Sequence, residues 1–456
     1  MYQIKLFSQI FYLKLFLKHI YLGYHGYWIS IISTKEDIMI ANNIKLLVIM
    51  LAIFAIPFNS FSQSLEERID VLTEEVEQLK RSGFGGEIGS QYGFGPAASK
   101  VYNTSSGLSI GGYGEIVGKF FRSEQKLDQT DAYRGVFYIG YKFTDEWSLN
   151  TELEFEHGDE AFLEFGYLDY TPKAMNGLLG FRAGLLLLPT GIINELHEPT
   201  LFHGVYRPQT ETTMLPTTNR ENGVGIFGET AEKQLEYKLY YLTSLKNPGV
   251  SATGNTNKNF RSKGSSSTAN ELALTGSIKY NFNNKTVIGG SYYRGNIQPS
   301  GITATAYDMN DPKSRVEWRT IYIMGDVGGF EYRALYTNHK LSNIDRFNSY
   351  LTGNANTKFG TKQVGYYYEL AKDLGHMIGT SWYVAPFFRY ENLNYHKKTD
   401  SSANSNRSYQ DLQYWNYGLT VKPIGNVVLK ADALRHTNPG SNNDYTQYNL
   451  GIGWIF

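Results

Sequence analysis

Residues Pro189 to Glu221 read PTGIINELHEPTLFHGVYRPQTETTMLPTTNRE. Prolines stand at 189, 199, 208 and 216, and no apolar residues recur at helical spacing, so the stretch cannot be one continuous helix. Leu185-Leu186-Leu187-Leu188 leads in. Gly223-Val224-Gly225-Ile226-Phe227-Gly228 leads out, with apolar residues alternating with glycine. Both flanks read as strands. A structureless link of about thirty residues is unusual in a compact domain and is either functional or a sign of wrong element assignment. The expectation is that the flanks are neighbouring strands of a transmembrane barrel. The stretch between them is then its long third outer loop, folded inward to narrow the lumen.

Working outward, the period is two from Leu108 to the end. In Trp147–Glu156, Trp147, Leu149, Leu153 and Phe155 share one face, and Ser148, Asn150, Glu152, Glu154 and Glu156 share the other. Arg315 to Met324 splits the same way, with Val316, Trp318, Tyr322 and Met324 against Arg315, Glu317 and Arg319. Segments of about ten residues cross a bilayer at barrel tilt. Short separators such as Thr144-Asp145-Glu146, Asn283-Asn284 and Gly328-Gly329 alternate with long polar ones such as Lys246–Thr268 and Asn296–Lys313. Short turns on the periplasmic side and long loops outside are the outer-membrane pattern. The predicted fold is an all-β, antiparallel transmembrane barrel of about sixteen strands, with eighteen as the alternative. The chain closes on Tyr448-Asn-Leu-Gly-Ile-Gly-Trp-Ile-Phe456. This resembles the last strand of outer-membrane barrels, whose terminal aromatic is read by the barrel-insertion machinery, so Phe456 is expected to meet that partner.

Composition agrees. Lysine plus arginine and aspartate plus glutamate both total 43, giving zero net charge, so no global field draws nucleic acid. Cysteine is absent, which excludes disulfides and thiol chemistry. Tyrosine, phenylalanine and glycine number 36, 26 and 46, a mix suited to a barrel with aromatic girdles. No long apolar run follows Phe61, which speaks against a bundle of membrane helices.

The amino-terminal region divides in four. Residues 1–38 read as a mis-called upstream extension. Residues 39–62 read as a signal peptide, with Lys45, the apolar run Leu46–Ile56, and Ser60-Phe61-Ser62 at the cleavage site. Residues 63–82 carry Leu65, Ile69, Leu72, Val76 and Leu79 at coiled-coil spacing. So short a seam is marginal alone and needs oligomerisation to hold it. Residues 83–107 are glycine- and serine-rich and read as a linker to the barrel, 108–456.

Three chemical motifs occur in the sequence. Gly223–Gly228 matches G-x-G-x-x-G, but a strand rather than a helix follows, so no dinucleotide cofactor is expected. His197, Glu198 and His203 lack H-E-x-x-H spacing and Pro199 interrupts them, so no metal is expected. His157 and Asp159 hint at a barrel hydrolase, but no G-x-S-x-G elbow is present; the expectation is that the chain is not an enzyme.

Gly191-Ile-Ile-Asn-Glu-Leu-His-Glu-Pro199, Arg207-Pro208, Pro216-Thr217-Thr218 and Glu221-Asn-Gly-Val-Gly225 resemble porins of the Bacteroidetes type, grouped with the phosphate-selective porin O and P family. The likeness runs more weakly over the whole barrel. It implies a homotrimer in the outer membrane, with the third outer loop folded into each pore. The expected constriction residues are Arg182, Asn194, Glu195, His197, Glu198, His203, Arg207, Arg220 and Glu221. The expected pore wall has an acidic side (Glu152, Glu154, Glu164) facing a basic side (Arg315, Arg319, Arg333). Such opposed charges create a transverse field that orients polar solutes, although such groups can equally pair and merely keep the lumen wet. Two other readings stay open: a structural or adhesive barrel with a plugged lumen, and the hydrolase.

Overall fold

The computed structural model describes residues 91–122, 126–230, 233–246, 256–267, 269–282, 285–297, 313–350, 358–403, 410–440 and 444–456. The upstream extension, signal peptide and coiled coil expected within 1–82 lie outside the described residues. Sixteen antiparallel strands form one ring in chain order, and the first pairs with the last.

The strands are β1 (Gly107–Phe121), β2 (Gln129–Lys142), β3 (Trp147–Glu156) and β4 (Glu160–Tyr170). Next come β5 (Gly180–Leu187), β6 (Arg220–Glu229), β7 (Leu235–Thr243) and β8 (Leu272–Phe282). β9 (Thr286–Asn296), β10 (Arg315–Val327), β11 (Phe330–Ser342) and β12 (Lys362–Lys372) follow. β13 (Tyr383–Lys398), β14 (Asp411–Ile424), β15 (Val427–Thr437) and β16 (Tyr445–Ile455) complete the ring. Sixteen, not eighteen, is therefore the count. Closure removes every strand edge, which satisfies the backbone without water.

Alternation sets the two faces. On β3, Ser148, Asn150, Glu152 and Glu154 are buried inside, while Leu153 and Phe155 are exposed outside, as the period-two reading requires. Ile110, Ile139, Leu168, Leu239, Ile278, Ile321, Leu419 and Leu450 are similarly exposed around the outer wall. An apolar belt on this scale is costly in water and stable in lipid. Closure is completed at the carboxy terminus. Phe456 N–H donates to Gly112 O at 2.9 Å, and Gly112 N–H donates to Phe456 O at 3.0 Å.

On β10 the two faces are exchanged relative to expectation. Val316, Trp318, Thr320 and Tyr322 point inward and are buried, whereas the Arg319 side chain is 70% exposed. Arg315 shares the outward face and bonds Asn296 at 3.1 Å. Arg315 and Arg319 are thus not lumen residues. The reason is twofold. The interior here is packed rather than watery, and Trp318 lies 4.7 Å from Tyr293 and 5.2 Å from His339 between ring centroids. β10 has 13 residues, more than the ~9–11 needed to cross, so its first residues stand beyond the apolar belt.

The second difference is at the start of the chain. Residues 91–104, the described part of the expected linker, are largely packed against the barrel wall. Phe94, Ala97, Ala98 and Val101 are buried, with α1 (Lys100–Asn103) among them. Asn150 Nδ2, on the inner face of β3, donates to Ala98 O at 2.9 Å. The segment therefore fills the short-turn end of the barrel, where burial of Phe94 alone contributes about 1.5–3 kcal/mol.

Candidate functional site

The segment between β5 and β6 lies inside the ring. Its neck is closed by Asn194, whose Nδ2 donates to Leu188 O (2.6 Å) and Asn219 O (3.1 Å), while its Oδ1 accepts from Asn219 N–H (2.8 Å). From that neck the segment reaches strands all round the wall. His197 Nε2 is 3.2 Å from Glu152 on β3. His203 is 3.3 Å from Glu331 on β11 and 3.0 Å from Thr420 on β14. Val205 N–H donates to Asp432 on β15 at 2.6 Å. A five-residue π-helical turn, Thr210–Met214, is capped by Glu391 on β13, which accepts from Gln209 N–H (3.0 Å) and Thr210 N–H (2.7 Å). A carboxylate at a helix amino terminus meets both free N–H groups and the favourable end of the dipole.

Glu211, in that turn, folds the segment onto itself. It accepts from Ile192 N–H (2.6 Å) and Ile193 N–H (2.9 Å), and from Tyr367 OH on β12 (2.7 Å). Burial raises its carboxyl above the ordinary range, partly offset by those three donors. Gly191 has φ +71°, and a Cβ there would sit 2.3 Å from the Glu211 carboxylate. Here only glycine fits. Glu198 grips the amino-terminal segment, accepting from Ala97 N–H (3.1 Å) and Ala98 N–H (3.0 Å). Burial pushes its carboxyl up to about 7 despite those bonds.

The charged residues fall into local clusters rather than two opposed walls. Arg134 on β2 binds Glu115 (3.3 Å), Glu154 (2.9 Å) and Glu156 (3.2 Å). Arg220 meets Glu164 at 2.5 Å. Arg182 holds Asp169 through two bonds of 2.8 Å and packs over Tyr167 and Phe227. Glu195 binds Lys238 (2.5 Å), and Lys279 binds Glu236 (3.0 Å). Arg389 binds Glu369 (2.9 Å) and donates to His203 O (3.0 Å); Arg333 lies 3.7 Å from Glu369. Arg207 donates to Thr217, Tyr113 and His197 O. Glu221 accepts from Ser262 and Thr243. The expected transverse field is therefore replaced by short-range neutralisation.

Glu164 is inward because of a bulge. Glu152 pairs with Phe165 and Leu153 with Leu163, which leaves Glu164 as the extra residue, and both Glu164 and Phe165 are buried. A bulge re-aims a side chain that strict alternation would send outward. His203 does not join His197; instead Glu152, Glu164 and His197 offer ligating atoms within 4.8 Å of one another. Sequence reasoning missed Arg134, Arg389, Glu369, Lys238 and Lys279; their inward parity was available, but their partners were not. His157 sits at the opposite, long-loop rim and pairs with Asp131 (2.7 Å) rather than Asp159.

A cleft of about 160 Å³ remains towards the short-turn end, between Tyr92, Phe94, Ile192, Leu196, Lys279 and Arg333. That is several times the space one water needs, so the cleft has room for a small cluster of waters.

Fold and interior together define a closed sixteen-stranded antiparallel barrel with its longest loop turned inside. Two solved structures share this fold: an anion-selective porin from Comamonas acidovorans (10% identity, 77% of this chain, 100% of that one, TM-score 0.52), and a Salmonella typhi OmpF in complex with daunomycin (13% identity, 78% and 99%, TM-score 0.50). No family model matches the chain. It is 31% identical over 381 residues to an uncharacterized protein of Aquifex aeolicus (strain VF5), covering 80% of this chain and 83% of that one. The chain belongs to the same family as that protein.

Proposed function

We propose that the chain is an outer-membrane porin for small hydrophilic solutes, in which 189–221 sets the width of the path. The observation that carries this reading is the loop anchored to β3, β11, β13 and β15 across the interior of an apolar-belted barrel. Short turns at one end, long loops at the other and the signal-like 39–62 support the outer membrane. Resemblance to the phosphate-selective O and P porins supports a homotrimer. The terminal Phe456 supports recognition by the insertion machinery.

A second reading is favoured by one observation. Nearly every charge on the loop is buried and paired, and 91–104 occupies the other end, so the lumen is plugged and the barrel is structural or adhesive. Planar-bilayer recording of the purified full chain separates the two. Small, steady ion-conducting steps are expected. Absence of current from folded protein overturns the porin reading and leaves the plug.

A further inference from the structure

Glu152, Glu164 and His197 present an unbalanced constellation at the point where the inner loop meets β3 and β4. The two carboxylate side chains and the imidazole are 0%, 2% and 1% exposed. Each glutamate has one oxygen in a protein contact: Glu152 Oε1 with His197 Nε2, and Glu164 Oε1 with Arg220. Each has a second oxygen, Glu152 Oε2 and Glu164 Oε2, that is buried with no hydrogen-bond partner. Leaving buried carboxylate oxygens unpaired is expensive unless a cation or a proton meets them.

The histidine is set up as a ligand. Its Nδ1 is 3.0 Å from Asn194 O. A carbonyl only accepts, so Nδ1 carries a proton; Nε2 faces Glu152 Oε1 (3.2 Å) and Tyr138 OH (3.3 Å), and it can ligate a cation by giving up its own proton. Donation of the distal N–H to a backbone carbonyl is the arrangement that orients metal-binding histidines. A proton on Nε2 would satisfy Glu152 Oε1 alone, whereas a divalent ion satisfies Nε2 and both carboxylates together. Two atoms bound to one ion at ~2.0–2.2 Å lie at most ~4.4 Å apart. Tetrahedral ligands stand ~3.4 Å apart, so the present spread of up to 4.8 Å closes by about an ångström of side-chain movement.

We propose that Glu152, Glu164 and His197 bind a divalent first-row transition cation of the zinc or manganese kind, which staples the inner loop to the β3–β4 wall. One imidazole with two carboxylates is a donor set that suits such ions. Each ligand comes from a different part of the chain: an inward position of β3, the bulge of β4, and the loop itself. Such a staple would hold whether or not the barrel conducts.

The test uses the full chain refolded in detergent, stripped with a chelator and titrated with Co(II), then with Zn(II) as competitor. Visible ligand-field bands displaced by Zn(II) are expected, and Glu152→Gln or His197→Gln should weaken binding roughly tenfold or more. Heat-modified electrophoretic mobility checks that each variant is folded. Should neither variant fold, X-ray absorption of the zinc-loaded wild type decides: one imidazole with oxygen donors supports the site, and a shell of several imidazoles overturns it. Binding that is absent in the wild type, or unchanged in folded variants, also overturns it.

Discussion

Single residues in this barrel act through pairing rather than through net charge. Arg182 is the clearest case. Its guanidinium is buried, bonded twice to Asp169, and stacked over Tyr167. Removing one partner of a buried ion pair strands the other charge, at a cost of about 3–5 kcal/mol. Arg182→Ala should lower the unfolding free energy in detergent by that amount. Replacing Asp169 by Asn in the same chain should restore part of it, because the uncompensated charge is gone. Equal stabilities of wild type and single variant in denaturant titration would show that water reaches the pair.

At the scale of elements, the inner loop and the amino-terminal segment are one assembly. Glu198 joins them, Asn194 closes the loop's neck, and Glu391 caps its helical turn. Deleting 199–216 removes the contacts to β11, β14 and β15 while leaving the neck. Single-channel conductance should rise several-fold by recording in planar bilayers; an unchanged value would place the loop outside the solute path. Deleting 91–104 instead should open the short-turn end, exposing the cleft beside Ile192 and Lys279. Current that appears only in this second variant would favour the plug.

For the whole molecule, closure is the decisive event, since an unclosed sheet leaves two edges unpaired in lipid. β1 and β16 pair from Tyr113↔Ile455 to Phe121↔Gln447, and Phe456 adds two further backbone bonds to Gly112. Each such bond is worth about 0.5–1.5 kcal/mol net, a modest part of the barrel's stability. Deleting Phe456 should therefore leave refolding in detergent nearly intact while sharply lowering the amount assembled in the outer membrane of cells. Unchanged levels by membrane fractionation would reject a role for the terminal aromatic in insertion.

Alternation of residue character, the lengths of the separators and the prolines of 189–221 determine by themselves a closed antiparallel barrel with one anomalous loop. They also determine the parity of β3, because glutamates alternate there with leucine and phenylalanine. The parity of β10 was not legible. Its inner face is Val316, Trp318 and Tyr322, which reads as lipid-facing until the packed interior around Tyr293 and His339 is known. The burial of 91–104 was equally hidden, since Gly, Ser and Ala there carry no periodicity. A bulge has no sequence signature of its own, so Glu164, although expected on the inner face, reaches it by a register shift that the sequence does not show. Period two reports which residues share a face. Only the tertiary structure decides what that face meets, because the contents of the lumen come from distant parts of the chain.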